Sequence, residues 1–222
     1  NLDSNESRAF RGIFVDTLVP TATVTLADSA LKVGEATTVT VTFSEVPKGF
    51  VAGDDLTVAN GTLSNGSFDP MGLIYTTTFT PADDLADTSN VVTLGQGWTD
   101  AAGNVPIANT DSANYAIDTQ EPSATVELAD AVLQAGETTT VTVTFSEVPK
   151  GFVEADDLTV ANGTLSNGSF DQTGLIYTAT FTPDDNLADT SNVVTLGQGW
   201  TDAAGNPPIA NTNSANYQIN TK

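Results

Sequence analysis

An all-β fold, two tandem β-sandwich domains of about seven strands each arranged end to end, is what this 222-residue sequence predicts. Three observations carry the prediction. A shift of 102 positions lays residues 16–117 on residues 118–219 with 83 identities, so the chain holds two copies of a unit near the size of an independent domain. Within each copy, short runs alternate apolar residues with threonine and are separated by glycine- and asparagine-rich turns, the pattern of half-buried strands. No stretch shows sustained helical periodicity with caps.

Taken in order, residues 1–15 match the repeat weakly and read as a lead-in strand or the tail of a preceding, divergent unit. The first domain runs over 16–117 and the second over 118–222. In the first, Ala22, Val24 and Leu26 alternate with Thr23 and Thr25. After a loop from Ala27 to Glu35 that returns the chain antiparallel, Val39, Val41 and Phe43 alternate with Thr38, Thr40 and Thr42. A third strand covers Asp55 to Ala59. Asn60-Gly61 and Asn65-Gly66 then bracket Thr62 to Ser64, and Asn-Gly is the pair that most readily makes a tight hairpin turn. Leu73, Tyr75, Thr77 and Phe79 share the inward parity of the next strand; Val92, Leu94 and Trp98 mark a sixth, and Ala113, Tyr115 and Ile117 a seventh. Seven short strands in about 100 residues is the signature of an immunoglobulin-like β-sandwich.

Composition narrows the chemistry. Six basic residues against 28 acidic ones give a net charge of −22, shared by both copies. Such a surface repels phosphate backbones and anionic lipid and attracts cations, which argues against nucleic acid and membrane insertion as partners. With no cysteine and no histidine there is no disulfide, no thiolate metal site, no cysteine nucleophile and no usual serine triad. No apolar run reaches membrane-spanning length, and the N-terminus lacks a signal-peptide layout, so the sequence reads as an excised or mature segment.

The acids carry the functional reading. In a seven-strand sandwich the loops after the second and sixth strands share the pole where the first strand begins, so Asp118, Glu147, Asp157 and Asp202 are predicted to converge there in the second domain. Asp156, next to Asp157, is an alternative ligand. The opposite pole of the first domain offers Asp28, Asp83, Asp84 and Asp87, with Asp118 between the two clusters. Four carboxylates at one pole suit Ca2+, which takes six to eight oxygens in flexible geometry, better than magnesium with its strict octahedron. The plainer account is that these are solubilising loop acids. Ala-Gly-Asn at residues 102–104 and 204–206 reads as a turn.

Several motifs also carry a resemblance. Asp16-Thr17, Pro20-Thr21-Ala22-Thr23-Val24, Val39 to Glu45, Asp55-Leu56-Thr57-Val58, Asn60 to Ser64 and Thr99-Asp100-Ala101-Ala102-Gly103-Asn104 resemble the bacterial immunoglobulin-like repeats of giant surface adhesins, including biofilm-associated proteins and the RTX adhesins secreted by a type I system. The resemblance covers residues 16–219. It implies an extracellular extender module at the bacterial cell surface, a monomeric rod whose partners are neighbouring repeats of the same chain, with calcium stiffening the junctions. It also implies that Asp16, Glu45, Asp55 and Asp100 do the same work at the first domain's upper pole, in a weaker site. Asn220 stands where Asp118 does one repeat earlier, so a final pole is expected to be incomplete.

Rival readings are less well supported. A lectin-like module would use Trp98, Trp200 or Tyr75 to stack sugars, but the parity of Trp98 with Val92 and Leu94 predicts burial. Threonine rows suggest ice binding only if many align on a flat face, whereas β-branching alone explains threonine in strands. Glycoside hydrolysis needs two carboxylates across a cleft, and the sequence suggests no cleft.

Overall fold

The computed structural model describes residues 15–222; residues 1–14, where the sequence reads as a lead-in, lie outside them. The first copy contains β1 (Ala22–Leu26), β2 (Ala30–Lys32), β3 (Thr37–Phe43), one helical turn α1 (Ala52–Asp55), β4 (Leu56–Val58), β5 (Gly61–Phe68), β6 (Ile74–Pro81), β7 (Ala86–Asn90), β8 (Val92–Leu94), β9 (Thr110–Asp111) and β10 (Tyr115–Asp118). The second copy repeats the series as β11 (Ala124–Leu128), β12 (Val132–Gln134), β13 (Thr139–Phe145), α2 (Glu154–Asp157), β14 (Leu158–Thr159), β15 (Gly163–Phe170), β16 (Ile176–Pro183), β17 (Ala188–Asn192), β18 (Thr195–Leu196), β19 (Thr212–Asn213) and β20 (Tyr217–Asn220). Among the described residues no helix is long and apolar enough to cross a membrane.

Alternation in sequence becomes alternation in burial. Thr37, Val39, Val41 and Phe43 of β3 are buried while the threonines between them face outward, and β6 buries Tyr75, Thr77, Phe79 and Pro81 in the same way. The sheet order is β1-β3-β6-β5, with Val24 opposite Val41 in an antiparallel register. A three-stranded sheet, β4-β8-β9, and another, β2-β10-β7, complete the strand inventory of this copy.

The second copy is built likewise, with sheets β11-β13-β16-β15, β12-β20-β17 and β14-β18-β19. Val143, Phe145 and Phe181 from the first of these join Leu133, Tyr217 and Ile219 from the second in one hydrophobic core. Edge-to-face rings anchor it: Phe145 lies 4.8 Å from Trp200 and Phe181 lies 5.4 Å from Tyr217, centroid to centroid.

Two local expectations change. The segment from Ala27 to Glu35 is more than a return loop, because β2 within it pairs in parallel with β10, Leu31 opposite Ile117. Leu31 is its one large apolar side chain, fully buried, and a single inward residue gives too little alternation to announce a strand. β7 and β9 add short strands that lack apolar alternation for the same reason. The Asn-Gly pairs are also not hairpin turns. Asn60 sits where the chain leaves β4 for β5, which belongs to a different sheet. Asn65-Gly66 falls inside the continuous strand β5, and its counterpart Asn167-Gly168 falls at a register shift between β15 and β16. Asn65 and Asn167 alone adopt a positive φ there, at 57° and 55°, which makes a bulge; a type I′ turn needs two such residues. Glycine follows because a Cβ at Gly66 would fall on the Tyr75 hydroxyl.

The described residues form two compact units. One takes in the chain up to Asp28 with Thr37–Thr80 and Asn90–Asn114; the other takes in Ser29–Ala36, Pro81–Ser89 and Tyr115–Lys222. The sheet β2-β10-β7 of the first copy therefore lies almost wholly in the same unit as the entire second copy.

Candidate metal centre

The pole where β1 begins is assembled by backbone pairing. Ser44, one residue past β3, donates from its N–H to the Thr21 carbonyl at 2.8 Å, and its hydroxyl accepts from the Thr21 N–H at 3.0 Å. An isolated bridge between Lys48 and Thr99 ties the loop after β3 to the loop after β8, with N···O distances of 2.7 and 2.9 Å. These pairings bring Glu45 and Asp100 to the segment that carries Asp16. One carboxylate oxygen of each of Asp16, Glu45 and Asp100 lies within 4.8 Å of the others. Oxygens bound at about 2.3–2.6 Å to one Ca2+ lie at most about 5 Å apart, so this set fits such an ion.

Asp100 is fully buried and held rigidly. Its Oδ1 accepts from the N–H groups of Gly103 and Asn104 at 2.7 and 2.8 Å, and its Oδ2 accepts from Asn104 Nδ2 at 2.6 Å. Burial raises the Asp100 pKa, but the bonds from the Asn104 side chain and from the backbone of Asn104, Gly103 and Ala102 outweigh it and leave the group below its ordinary value. Asp16 is exposed and closes a turn by accepting the Leu18 N–H at 3.0 Å. Glu45 is half-buried and accepts the electrostatic cost: desolvation first, then Asp100 and Asp16, push its pKa up. Among the described residues no lysine forms an ion pair with these three acids.

The second copy repeats the hydrogen bonds that hold the buried aspartate. Asp202 Oδ1 accepts from the N–H groups of Gly205 and Asn206 at 2.6 and 2.8 Å, and Oδ2 accepts from Asn206 Nδ2 at 2.7 Å. Burial first, then Asp202 and Asp118, raise the pKa of Glu147, but among the described residues it is Asp16, Glu45 and Asp100 of the first copy that bring carboxylate oxygens within 4.8 Å of one another. Asp118 Oδ1 lies 3.3 Å from the Gln120 N–H.

Asp55 and Asp157 do not join these groups. Each is buried, and each carboxylate turns back on its own helical turn, Oδ2 accepting from the N–H of Val51 or Val153 at 2.8 Å. Their Oδ1 atoms lie where a side chain on Gly97 or Gly199 would stand. At the other end of the first copy, Asp87 Oδ1 accepts the Ser89 N–H at 2.9 Å, and Asp84 holds a left-handed φ of 54°. Asp28 belongs to the other compact unit, where its N–H donates to Thr37 Oγ1 at 2.9 Å. Asp83 is exposed. Asp87 and Asp118 line a groove of about 510 Å³ that also contains Lys32. Lys32 is paired with Glu35 at 3.9 Å.

Sequence reasoning missed the role of the asparagine in Ala-Gly-Asn. Beyond its turn, Asn206 Nδ2 also donates to the Asp118 carbonyl at 2.8 Å, and Asn104 Nδ2 donates to the carbonyls of Asp16 and Leu18 at 3.2 Å. The amide fixes the opening segment of each copy to the buried aspartate. The signal available was that both asparagines lie four residues after that aspartate. Trp98 and Trp200, candidates for sugar stacking, are each 1% exposed, and Nε1 of each bonds a glycine carbonyl of its own loop at 3.1 Å.

These features define a class: tandem immunoglobulin-like sandwiches whose loops gather carboxylates at one pole. The family is shown by sequence, because the bacterial Ig-like domain matches residues 16–117 and again 118–219, and the chain belongs to that family. No curated protein matches it significantly in sequence. Among solved structures it is similar to the Escherichia coli adhesin FdeC, at 16% identity and TM-score 0.35 over 85% of this chain and 75% of that one. It is similar to an I-band fragment of titin, at 14% identity and TM-score 0.45 over 92% and 66%. It is also similar to the Yersinia pseudotuberculosis adhesin InvE, at 16% identity and TM-score 0.33 over 90% and 58%.

The raised glutamates predict a pH dependence. For Glu45 and Glu147 the folded pKa lies above the unfolded one, so the native chain keeps a proton that the unfolded chain has released. Their contribution is complete at low pH and is lost as pH rises through the folded pKa, upward from about 4.3. The lowered groups behave oppositely: Asp69, held mainly by the Ile74 N–H, and Asp171, held mainly by the Thr173 side chain, lose their contribution as pH falls below about 3.9. Metal-stripped protein should therefore have a lower urea midpoint at pH 6.5 than at pH 4.5, and the Glu45→Gln/Glu147→Gln double variant should show a smaller drop.

Proposed function

We propose that this chain is a non-catalytic extender module of a bacterial cell-surface adhesin, exported to the outside, in which calcium at the loop poles stiffens the chain and holds an adhesive region away from the cell. The observation that carries the reading is the set of Asp16, Glu45 and Asp100 oxygens within 4.8 Å of one another. In the second copy Asp118, Glu147 and Asp202 would hold the ion. Asp118 ends β10, a strand of the first copy, and its carbonyl is bonded to Asn206 of the second. Bound calcium would supply positive charge that cancels the repulsion among these carboxylates, while this chain's own residues set the geometry. The buried aspartate is fixed by three hydrogen bonds, the glutamate is partly desolvated, and the opening aspartate is carried on the segment to be held.

Sites in extracellular modules commonly bind in the range of about 0.1 to 1 mM. Millimolar external calcium then favours the ordered form, and low cytosolic calcium leaves the chain loose enough for export. Small-angle scattering tests this: the profile should narrow toward a single set of dimensions on going from EDTA to several millimolar calcium. Superimposable profiles in the two buffers would contradict it.

A further inference from the structure

We propose that the loop Ala203 to Asn206 is a docking surface for the turn that follows the second strand of another copy of the same domain, closed by Asn206 Oδ1 accepting the N–H of Val33, and that this contact holds without any metal ion. Both residues lie in one compact unit, and their N···O distance is 2.8 Å.

The side-chain amide of Asn206 is fully buried, and both ends are used. Nδ2 faces only acceptors: Asp202 Oδ2 at 2.7 Å, the Asp118 carbonyl at 2.8 Å and the Gln120 carbonyl at 3.4 Å. That fixes which end is oxygen and aims Oδ1 at Val33. Asn104 makes the corresponding Nδ2 bonds to Asp100, Asp16 and Leu18, yet it is only half-buried, and its Oδ1 accepts from no described residue. The two asparagines differ by the docked turn.

Divergence between the copies falls on the same surface. Ala203 and Ala204 face a groove shared with Ala30, Lys32 and Ala116. The equivalents of Ala30, Lys32, Val33 and Ala116 in the second copy are Val132, Gln134, Ala135 and Gln218, all exposed. Ala30 and Ala116 leave room for the loop where Val132 and Gln218 stand in solvent, and Lys32 lies against Gly205. The contact joins unlike surfaces of like domains, so it is a head-to-tail interface. Its occupant is a further copy of this domain, and Ala101 to Asn104 carries the same four residues.

Native-state hydrogen exchange in EDTA tests the proposal without relying on calcium. In the unaltered chain the Val33 amide should exchange about tenfold or more slowly relative to Ala135, its equivalent, as expected for one closed hydrogen bond. Asn206→Ala should bring Val33 to the rate of Ala135. Asn104→Ala removes the same clasp within the first copy and should leave Val33 slow. Equal rates for Val33 and Ala135 in the unaltered chain would overturn the proposal, as would equal effects of the two variants on Val33.

Discussion

Asp202→Ala should lower the unfolding free energy by about 2–5 kcal/mol in metal-free buffer, because it takes the acceptor from the buried Asn206 N–H and the partly buried Gly205 N–H and leaves Asn206 Nδ2 only its bonds to backbone carbonyls. Its carboxylate is 1% exposed and accepts from Gly205 N–H, Asn206 N–H and Asn206 Nδ2. Each buried donor left without a partner costs about 1–3 kcal/mol, reduced where the loop relaxes toward water. Asp202→Asn keeps an oxygen for the two backbone donors and should fall between the variant and the parent chain. Asp100→Ala should behave alike in the first copy, where Asp100 is 0% exposed. Urea unfolding checks this. An Asp202→Ala midpoint equal to that of the parent chain would mean that the loop is not held by this residue.

Glu147→Gln should change sign with calcium. Without metal it removes a charge that burial, Asp202 and Asp118 all disfavour, so the variant should be the more stable protein. With metal it removes a ligand and forfeits part of the linkage stabilisation, which reaches about 2.7 kcal/mol per site at 100 times the dissociation constant. The variant should then be the less stable protein. Glu45→Gln should show the same crossover. Thermal unfolding of parent and variants in EDTA and in calcium measures it, and a substitution effect of one sign in both buffers would count against a metal role for these glutamates.

Much of the fold was legible because the strands alternate. Val39, Val41 and Phe43 declared their inward face, as did Tyr75, Thr77 and Phe79, and the structure buries all six. β2 was not legible because parallel pairing with β10 is a long-range fact resting on Leu31 alone. The Asn-Gly pairs were misread because the same left-handed angle serves a hairpin and a bulge, and only the register with β6 and β16 separates them. At the first copy's pole, Asp16, Glu45 and Asp100 of the set implied by the resemblance come together, carried there by the pairing of the segments after β3 and β8. Loop position places Asp157 at the second copy's pole and the resemblance places Asp55 at the first's, but a carboxylate four residues after Val51 or Val153 can satisfy that residue's N–H, and this local bond prevails. Asn206 escaped notice because its partners, Val33 among them, are distant in sequence.

Calorimetric titration of the metal-stripped chain with calcium is the most direct test of the account. It predicts saturable binding with a dissociation constant of about 0.1–1 mM, with one class of sites lost in Glu147→Gln and another in Glu45→Gln. Heats no larger than dilution up to about 10 mM calcium would contradict it.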